Sequence, residues 1–247
     1  MEAQIQKRPV LVTLTSPSAG GKSYLFNYIR DVAKLPCLIS TTTRAPRAGE
    51  KEGVDYYFIS EEQSKQMEEA NLFAELAIYN GVRYGVTKTE FSYKLRDGLA
   101  FLIVEPTGID HYAKPALDVG ALHYKTFIHT DPQVRLKRFR ERVEADMTRT
   151  VQAALIQANT FNMSTMIMKE MNTSLNRLTT MLTEENHWFG LHQWDRILFG
   201  EDKPEDNLRI MLGDIEEIQS RQLAVDKHNA SEATIIKKII ASAPKHW

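Results

Sequence analysis

Short apolar runs and helically spaced apolar positions alternate along the first half of the chain. Residues 8–16, RPVLVTLTS, form a β-branched apolar run of the length expected for a buried strand. Residues 24–33, YLFNYIRDVA, carry apolar side chains at helical spacing, and residues 99–108, LAFLIVEPTG, contain a second strand-like run. The order strand, loop, helix, strand predicts an α/β fold with a parallel sheet flanked by helices.

Helical spacing dominates the second half of the chain. Between residues 146 and 185, one apolar stripe recurs at intervals of three and four and comprises Met163, Ile167, Met171, Leu175, Leu178 and Leu182. The stripe predicts a helix that packs on the rest of the chain or, alternatively, provides the interface of a homodimer. Residues 231–247 predict a short terminal helix.

Composition and charge narrow the class of protein. The 247 residues are 43% hydrophobic and 26% charged, which is typical of a globular protein with one substantial core. The net charge of −1 argues against nucleic acid or an anionic membrane as partner. The N-terminal residues lack a secretory apolar core and no apolar run approaches the ~18 residues of a membrane span, so we expect a cytoplasmic protein. The single cysteine, Cys37, is expected to be buried.

A candidate phosphate-binding loop follows the first predicted strand. Residues 16–23, SPSAGGKS, match the pattern G-x-x-x-x-G-K-[ST] at Gly21, Lys22 and Ser23, whereas Ser16 replaces the first glycine. In this pattern the lysine contacts the β and γ phosphates and the hydroxyl binds Mg²⁺. If the loop required a positive φ at Ser16, we would expect strain of roughly 1–2 kcal/mol there. The alternative is a glycine-rich turn that contains an incidental lysine.

A second motif lies at residues 40–58, STTTRAPRAGEKEGVDYYF. Arg44 and Arg47 flank Pro46 and place two planar guanidinium groups near one point, an arrangement suited to a phosphate dianion. Tyr56 and Tyr84 offer hydroxyl donors to the same phosphate. The alternative is a solvated pair of loop charges. Because a candidate phosphate-binding loop precedes this motif, we favour the phosphate clamp.

Together the two motifs resemble the guanylate kinase family of P-loop nucleoside monophosphate kinases, in which S-x-T-T-R-x-P-R-x-G-E-x-x-G-x-D-Y follows the first helix. The resemblance extends over residues 9–142 through LFAELAIYNGVRYG and the strand at 99–108. It implies a P-loop NTPase-type parallel sheet flanked by helices, with a small mixed subdomain for the nucleoside monophosphate and an enlarged helical lid. It also implies that ATP and Mg²⁺ are used to phosphorylate GMP or dGMP.

The resemblance divides one kinase domain into segments. The core comprises residues 1–39, 93–134 and 191–247, the monophosphate-binding subdomain comprises 40–92, and the lid with a helical insertion comprises 135–190. Compared with the family, the connection after the lid is longer by a couple of dozen residues.

The same resemblance implies functions for individual residues. ATP would contact Ser18, Ala19, Gly20, Gly21, Lys22, Ser23 and Tyr24. The nucleoside monophosphate would contact Ser40, Arg44, Arg47, Tyr56, Glu75, Tyr84, Val86 and Glu105. The catalytic charges would be Lys22, Arg44, Arg138 and Arg142, and the Mg²⁺ ligand would be Ser23.

Glu75 suits guanine on chemical grounds. An ionised carboxylate accepts hydrogen bonds from both N1–H and the 2-amino group of guanine, whereas adenine presents a lone pair at N1. The alternative for Glu75 alone is a partly buried structural glutamate. We therefore expect Glu75 to read the base only in combination with the phosphate clamp.

The predicted lid helix begins near Asp131 and Pro132. Arg138 and Arg142 are four residues apart and hence share one face of this helix, where they would reach the transferring phosphoryl group. Arg135, Arg140 and Arg149 are alternative members of this cluster, but a basic helix face is usually solvated and we expect that of these three. The cluster of His187, Trp188, His192 and Trp194 lacks the spacing of a metal site and is interpreted as packing or lid-hinge residues.

Several positions depart from the family pattern. Val86 stands where the family has a hydroxyl, although Thr87 follows; Ile103 and Glu105 replace a pair of aspartates; Gly200 replaces an asparagine. These departures leave two alternatives open. One is a kinase for a deoxynucleoside or modified-purine monophosphate, and the other is a non-catalytic interaction domain.

Overall fold

The computed structural model describes residues 6–46, 49–79, 81–156, 160–183 and 185–242. The strands are β1 (Val10–Thr15), β2 (Thr41–Thr42), β3 (Tyr57–Phe58), β4 (Phe73–Tyr79), β5 (Val82–Thr87), β6 (Leu99–Ile103), β7 (Leu122–His129) and β8 (Arg196–Phe199). The α-helices are α1 (Lys22–Asn27), α2 (Glu61–Glu69), α3 (Lys88–Leu95), α4 (Ala113–Asp118), α5 (Pro132–Ile156), α6 (Thr160–Thr183) and α7 (Pro204–Ser242). A π-helical segment, Tyr28–Val32, continues α1, and 3-10 helices span Pro106–Tyr112 and Glu185–Leu191.

The first sheet is parallel and has the strand order β6-β1-β7-β8. Every residue of β1 is buried, which explains why its sequence is a continuous apolar run rather than an alternating one. Val10, Val12 and Leu14 pack with residues of α1 and α7, whereas Leu11 packs with residues of α3 and the first 3-10 helix. The predicted α/β class, a parallel sheet with helices on both faces, is confirmed.

The second sheet is mixed and has the order β3-β2-β5-β4. β2 pairs in parallel with β3 and antiparallel with β5, and β4 and β5 form an antiparallel pair. The register of that pair shifts between Phe73 and Glu75, so Glu75 follows an irregularity in β4. Such a bulge redirects the side chains around it, which bears on the position of Glu75.

The two long helices α5 and α6 pack against each other, and Arg177 Nη1 of α6 lies 3.7 Å from Asp146 Oδ2 of α5. The predicted helix is present, but its buried face differs from the predicted stripe. Ser174 and Met181 are buried, whereas Met171 and Leu175 are exposed. The side chains of Met163 and Leu182 lie outside the described residues, and a homodimer through this region stays a prediction.

The C-terminal part of the chain corrects a second expectation. The short helix predicted from residue 231 is wrong, because the helical segment begins at Pro204 and runs as the 39-residue α7. Leu208, Met211 and Ile215 are the buried apolar residues of α7 and pack on the parallel sheet. Residues 227–235 are exposed throughout. Among the described residues, no helix combines the length and the apolar character that crossing a bilayer requires.

A polar contact also ties α7 to the sheet. The Tyr124 hydroxyl of β7 donates to Asp214 Oδ2 of α7, and Arg196 of β8 donates to both oxygens of the same carboxylate at 2.6 Å. Tyr124 is otherwise buried. The Tyr124 hydroxyl therefore has a hydrogen-bond partner, although its ring lies in the core on the face of the sheet opposite to α3.

Candidate active site

The loop between β1 and α1 has the backbone of an anion-binding turn. Ala19 and Gly21 adopt left-handed conformations, with φ values of 59° and 98°, and the Gly20 amide donates to the Pro17 carbonyl at 3.0 Å. Alternating right- and left-handed residues direct successive N–H groups toward one point. The expected strain at Ser16 is wrong, because the residues with positive φ are Ala19 and Gly21 rather than Ser16.

Ser16 instead fills space beneath the loop. It is fully buried, and its hydroxyl donates to the Pro17 carbonyl at 3.0 Å. A Cβ atom on Gly20 would lie only 2.8 Å from Ser16 Oγ. A side chain at residue 20 would collide with Ser16, so Gly20 has to be glycine. The loop thus accommodates serine at residue 16 because residue 20 has no side chain.

Lys22 lies at the carboxyl-terminal edge of the parallel sheet. Its ammonium donates to the Ser16 carbonyl at 2.9 Å and to Glu105 Oε1 at 2.9 Å. Ser16 directly follows β1, and Glu105 lies just beyond β6, so the two contacts join neighbouring strand ends. This edge is where ligands bind to open α/β sheets.

The start of α5 is anchored to the loop by two arginines. Arg135 Nε donates to the Ser18 carbonyl at 3.1 Å, and Arg138 Nη1 donates to the Ala19 carbonyl at 3.5 Å. Arg138 Nη2 also donates to the Gly200 carbonyl, just after β8, at 2.9 Å. Arg135 is only 6% exposed, so the expectation that it is solvated is wrong: the first turn of α5 packs directly on the loop. Arg140 and Arg149 are exposed, as expected. Arg142, one turn beyond Arg138, lies over the Phe139 ring at 5.4 Å.

Gly200 closes the other side of the loop. A Cβ atom there would lie 2.0 Å from Thr130 Oγ1 and 2.4 Å from the Gly20 carbonyl oxygen, and Thr130 Oγ1 itself donates to that oxygen at 2.8 Å. A side chain at this position has no room. The absence of asparagine at residue 200 is therefore explained by close packing of the chain after β8 against the loop between β1 and α1.

Arg44 and Tyr56 of the second motif and Tyr84 of β5 converge on the mixed sheet. The guanidinium carbon of Arg44 lies 5.0 Å from the centre of the Tyr56 ring, and the ring centres of Tyr56 and Tyr84 are 6.1 Å apart. These residues follow β2, precede β3 and lie within β5, respectively. Arg47 lies outside the described residues. Ser40, directly before β2, accepts a backbone hydrogen bond from Tyr57 at 2.9 Å.

Glu50 orients Arg44, a contact that the sequence did not single out. Arg44 Nη1 and Nη2 donate to the two carboxylate oxygens of Glu50 at 2.7 and 2.6 Å, and this pairing raises the pKa of Arg44. Arg44 Nε is buried and has no hydrogen-bond partner among the described residues. The bidentate contact with Glu50 fixes the plane of the guanidinium.

Glu75 occupies an enclosed position beside the first 3-10 helix. Its side chain is 7% exposed, Tyr112 donates its hydroxyl to Oε2 at 2.9 Å, and His111 Nδ1 lies 3.6 Å from Oε1. Burial raises the pKa of Glu75, while the contacts with Tyr112 and His111 act in the opposite direction. Sequence reasoning missed both neighbours, because no local motif links residue 75 to a helix 37 positions away.

Val86 is a core residue beside Glu75 in the mixed sheet. Its side chain is fully buried in the cluster that contains Leu11 and Phe91, and its contact with the nucleoside monophosphate stays a prediction. In the register of the sheet Val86 pairs with Glu75. The hydroxyl of Thr87 caps α3 by accepting from the Glu90 amide at 3.1 Å.

The segment just after the second 3-10 helix contacts the first one. His192 Nδ1 lies 3.2 Å from Asp110 Oδ2, His192 Nε2 lies 2.8 Å from the Pro106 carbonyl oxygen, and the ring packs edge-on against Trp194. Trp188 is buried. Trp188, His192 and Trp194 are thus packing residues, whereas His187 is exposed and a lid-hinge role stays a prediction. No group of three or more metal-ligating side chains occurs in the described part of the chain.

The chemistry of two side chains near Lys22 fits Mg²⁺. Ser23 is exposed at the start of α1, and Glu105 presents a half-exposed carboxylate at the same sheet edge. Hydroxyl and carboxylate oxygens are the ligands that Mg²⁺ prefers, and it is commonly held by one or two such groups together with phosphates of the substrate. Tyr24, the last residue predicted to contact ATP, is exposed on the first turn of α1.

The chain is similar in sequence to guanylate kinases. A family model described as guanylate kinase matches residues 6–185. A guanylate kinase of Helicobacter pylori (strain ATCC 700392 / 26695) is 42% identical over 89 residues, which are 36% of this chain and 43% of the relative. A guanylate kinase of Mycoplasma genitalium is 30% identical over 196 residues, which cover 74% of this chain and 78% of the relative. A crystal structure of guanylate kinase from Anaplasma phagocytophilum covers 92% of this chain and 89% of its own, with a TM-score of 0.49 and 19% identity.

Proposed function

Because the chain belongs to the guanylate kinase family, we propose that it is a nucleoside monophosphate kinase that uses ATP and Mg²⁺ to phosphorylate GMP or dGMP. The alignable segment spans less than half the length of the Helicobacter pylori relative, so the activity is inferred from the site rather than carried over from that protein.

The observation that carries the proposal is the convergence of Arg44, Tyr56 and Tyr84. They come from three parts of the mixed sheet and present a guanidinium and two phenol rings to one region. Glu50 fixes the plane of the guanidinium, and the buried Arg44 Nε lacks a protein acceptor among the described residues. Charge-assisted contacts of this kind suit the phosphate of a nucleoside monophosphate.

The base would be read by Glu75. Its ionised carboxylate has lone pairs beyond those used by Tyr112, and these accept from N1–H and the 2-amino group of guanine. Because the carboxyl is enclosed, water competes weakly for these contacts.

Phosphoryl transfer follows from charge and position. An oxygen of the bound monophosphate attacks the γ-phosphorus of ATP, a new P–O bond forms, the bond to the β-phosphate oxygen breaks, and ADP leaves. Lys22 exchanges Glu105 for the phosphates of ATP, and Arg138 and Arg142 offset the negative charge that spreads over the transferring group. Mg²⁺, when bound through Ser23 and Glu105, neutralises phosphate charge. This scheme needs no general base, and closure of the lid excludes water.

An assay of ADP release with ATP, Mg²⁺ and a panel of GMP, dGMP, AMP and dTMP tests the proposal, with Lys22→Ala as the control. We expect turnover on GMP or dGMP that disappears in the control. Absence of turnover on every monophosphate would contradict kinase activity and favour an interaction domain.

A second candidate is a kinase for another purine monophosphate, deoxy or modified. It is favoured by the burial of Val86, which offers no hydroxyl to the guanine O6 atom, and by the apolar Ile103 at the end of β6. The same panel, extended to modified purine monophosphates, distinguishes the two. A strict preference for GMP would eliminate the second candidate.

A further inference from the structure

The contact between Tyr112 and Glu75 is built into the core. Tyr112 is buried, and its ring stacks on Phe91 of α3 with 6.4 Å between ring centres and 17° between planes. The ring belongs to the cluster that also contains Leu102 and Ile109. The hydroxyl is therefore held in one place, 2.9 Å from Glu75 Oε2.

In this hydrogen bond Tyr112 is always the donor and Glu75 the acceptor. Burial together with the adjacent Glu75 raises the pKa of Tyr112 well above its ordinary value. The phenol therefore stays protonated and donates a hydrogen bond to the carboxylate. A carboxylate accepts from that donor, whereas a protonated carboxyl has one oxygen that is itself a donor. The Tyr112 contact thus favours the ionised form of Glu75.

The ionised and neutral forms of a carboxyl group recognise different purines. A carboxylate offers two acceptors, which match the N1–H and 2-amino donors of guanine. A carboxylic acid offers one donor and one acceptor, which match N1 and the 6-amino group of adenine. The protonation state of Glu75 therefore selects between the two bases.

Two influences on the pKa of Glu75 oppose each other. Burial favours the neutral form, and Tyr112 with His111 favours the charged form. His111 is 59% exposed and contributes a charge only when protonated. Two other elements pack on β4. In β5, the apolar Val86 pairs with Glu75. In α3, the Glu90 carboxylate accepts a hydrogen bond from the Ile39 amide and lies 4.0 Å from Lys94 Nζ.

We infer that Tyr112 is a specificity-determining positioning residue, whose hydroxyl holds the Glu75 carboxyl as an acceptor and thereby excludes adenine from the base site. This role rests on the proposed function, since it takes Glu75 as the residue that reads the base. Tyr112 itself touches the carboxyl from the core side and acts on the purine only through Glu75.

The test is Tyr112→Phe in the full chain, assayed with GMP and with AMP across the acidic and neutral range. The ring and its stacking on Phe91 remain, and only the hydroxyl is lost. We expect KM for GMP to rise by about three- to tenfold with kcat unchanged, as for the loss of one hydrogen bond used in binding. The acid limb of kcat/KM for GMP should move to higher pH, and the preference for GMP over AMP should fall as the pH is lowered.

The matched control is Tyr124→Phe, which also removes a buried tyrosine hydroxyl that donates to a carboxylate, that of Asp214, away from the base site. It should lower stability and leave the GMP to AMP preference and the pH profile unchanged. A Tyr112→Phe protein with the preference and pH profile of the unmodified protein would overturn the inference, as would an equal shift in both variants. Absence of GMP turnover in the unmodified protein would instead overturn the proposed function, and the inference with it.

Discussion

Gly200 and Gly20 approach so closely that a Cβ atom on Gly200 would lie 2.4 Å from the Gly20 carbonyl oxygen. The chain after β8 thus packs so closely on the loop between β1 and α1 that no methyl group fits between them. We expect Gly200→Ala to displace the loop, to lower the free energy of unfolding by about 1–3 kcal/mol as overpacking does, and to raise KM for ATP. Urea denaturation and ATP kinetics measure both effects.

The control for this substitution is Gly213→Ala, because nothing lies within 4 Å of a Cβ atom at that position of α7. There we expect stabilisation of up to about 1 kcal/mol, since alanine is the better helix former. Equal effects of the two alanines would contradict the close approach at Gly200.

Arg135 holds α5 on the phosphate-binding loop through the Ser18 carbonyl. Arg135→Ala should lower the free energy of unfolding by about 1–3 kcal/mol, because it removes a hydrogen bond from a charged donor together with the packing of a buried side chain. Arg140→Ala, on the exposed side of the same helix, should change stability by less than about 0.5 kcal/mol. Thermal denaturation of both variants is the measurement, and an Arg135→Ala protein as stable as Arg140→Ala would show that the contact does not stabilise the fold.

Lys22 should matter for catalysis far more than for stability. Its partner Glu105 is half exposed, and ion pairs of that kind contribute little to folding. Lys22→Met should therefore leave Tm nearly unchanged while kcat falls by roughly 100-fold or more, as for the loss of a charge that stabilises the transition state. Lys114→Met, which removes a surface lysine paired with Asp118, is the matched control. Retention of kcat in Lys22→Met would contradict the proposed role.

His123 predicts how stability depends on pH. Burial lowers its pKa from 6.5 to about 4, and its Nε2 atom lies 3.0 Å from Thr13 Oγ1. As the pH falls, His123 is protonated in the unfolded chain before it is protonated in the folded protein. Its contribution to the free energy of unfolding is therefore complete above pH 6.5, the unfolded pKa, and is lost as the pH falls toward 4.

Urea denaturation as a function of pH checks this expectation. His123→Asn should flatten the decline in unfolding free energy between pH 6.5 and about 4, whereas His228→Asn, at an exposed position of α7, should retain it. An unchanged decline in His123→Asn would assign the pH dependence to other groups.

Much of the fold was readable because its signals are local. β1, the loop and α1 occur in an uninterrupted stretch whose apolar spacing changes from that of a strand to that of a helix. Lys22 and Ser23 are placed by that stretch alone. Arg44, Tyr56 and Tyr84 required the additional resemblance to a family, since 40 residues separate the first from the last.

The errors share a physical cause, which is tertiary packing. Periodicity identifies a face of α5 but not which residue on it meets the phosphate-binding loop, and so Arg135 was expected in solvent. The place of Val86 in the motif likewise does not reveal that its side chain is buried in the core. Tyr112 reaches Glu75 only after β4 and the 3-10 helix have packed together, a contact that no short motif encodes.

The long α7 has two parts that should differ in their opening equilibria. Leu208, Met211 and Ile215 are buried against the sheet, whereas residues 227–235 contact mainly solvent. Amide hydrogens in the first part can exchange with deuterium only when the core opens, while those in the second need only local fraying of one helix. A single uninterrupted helix should therefore display two widely separated exchange rates, with the boundary where its apolar contacts with the sheet end.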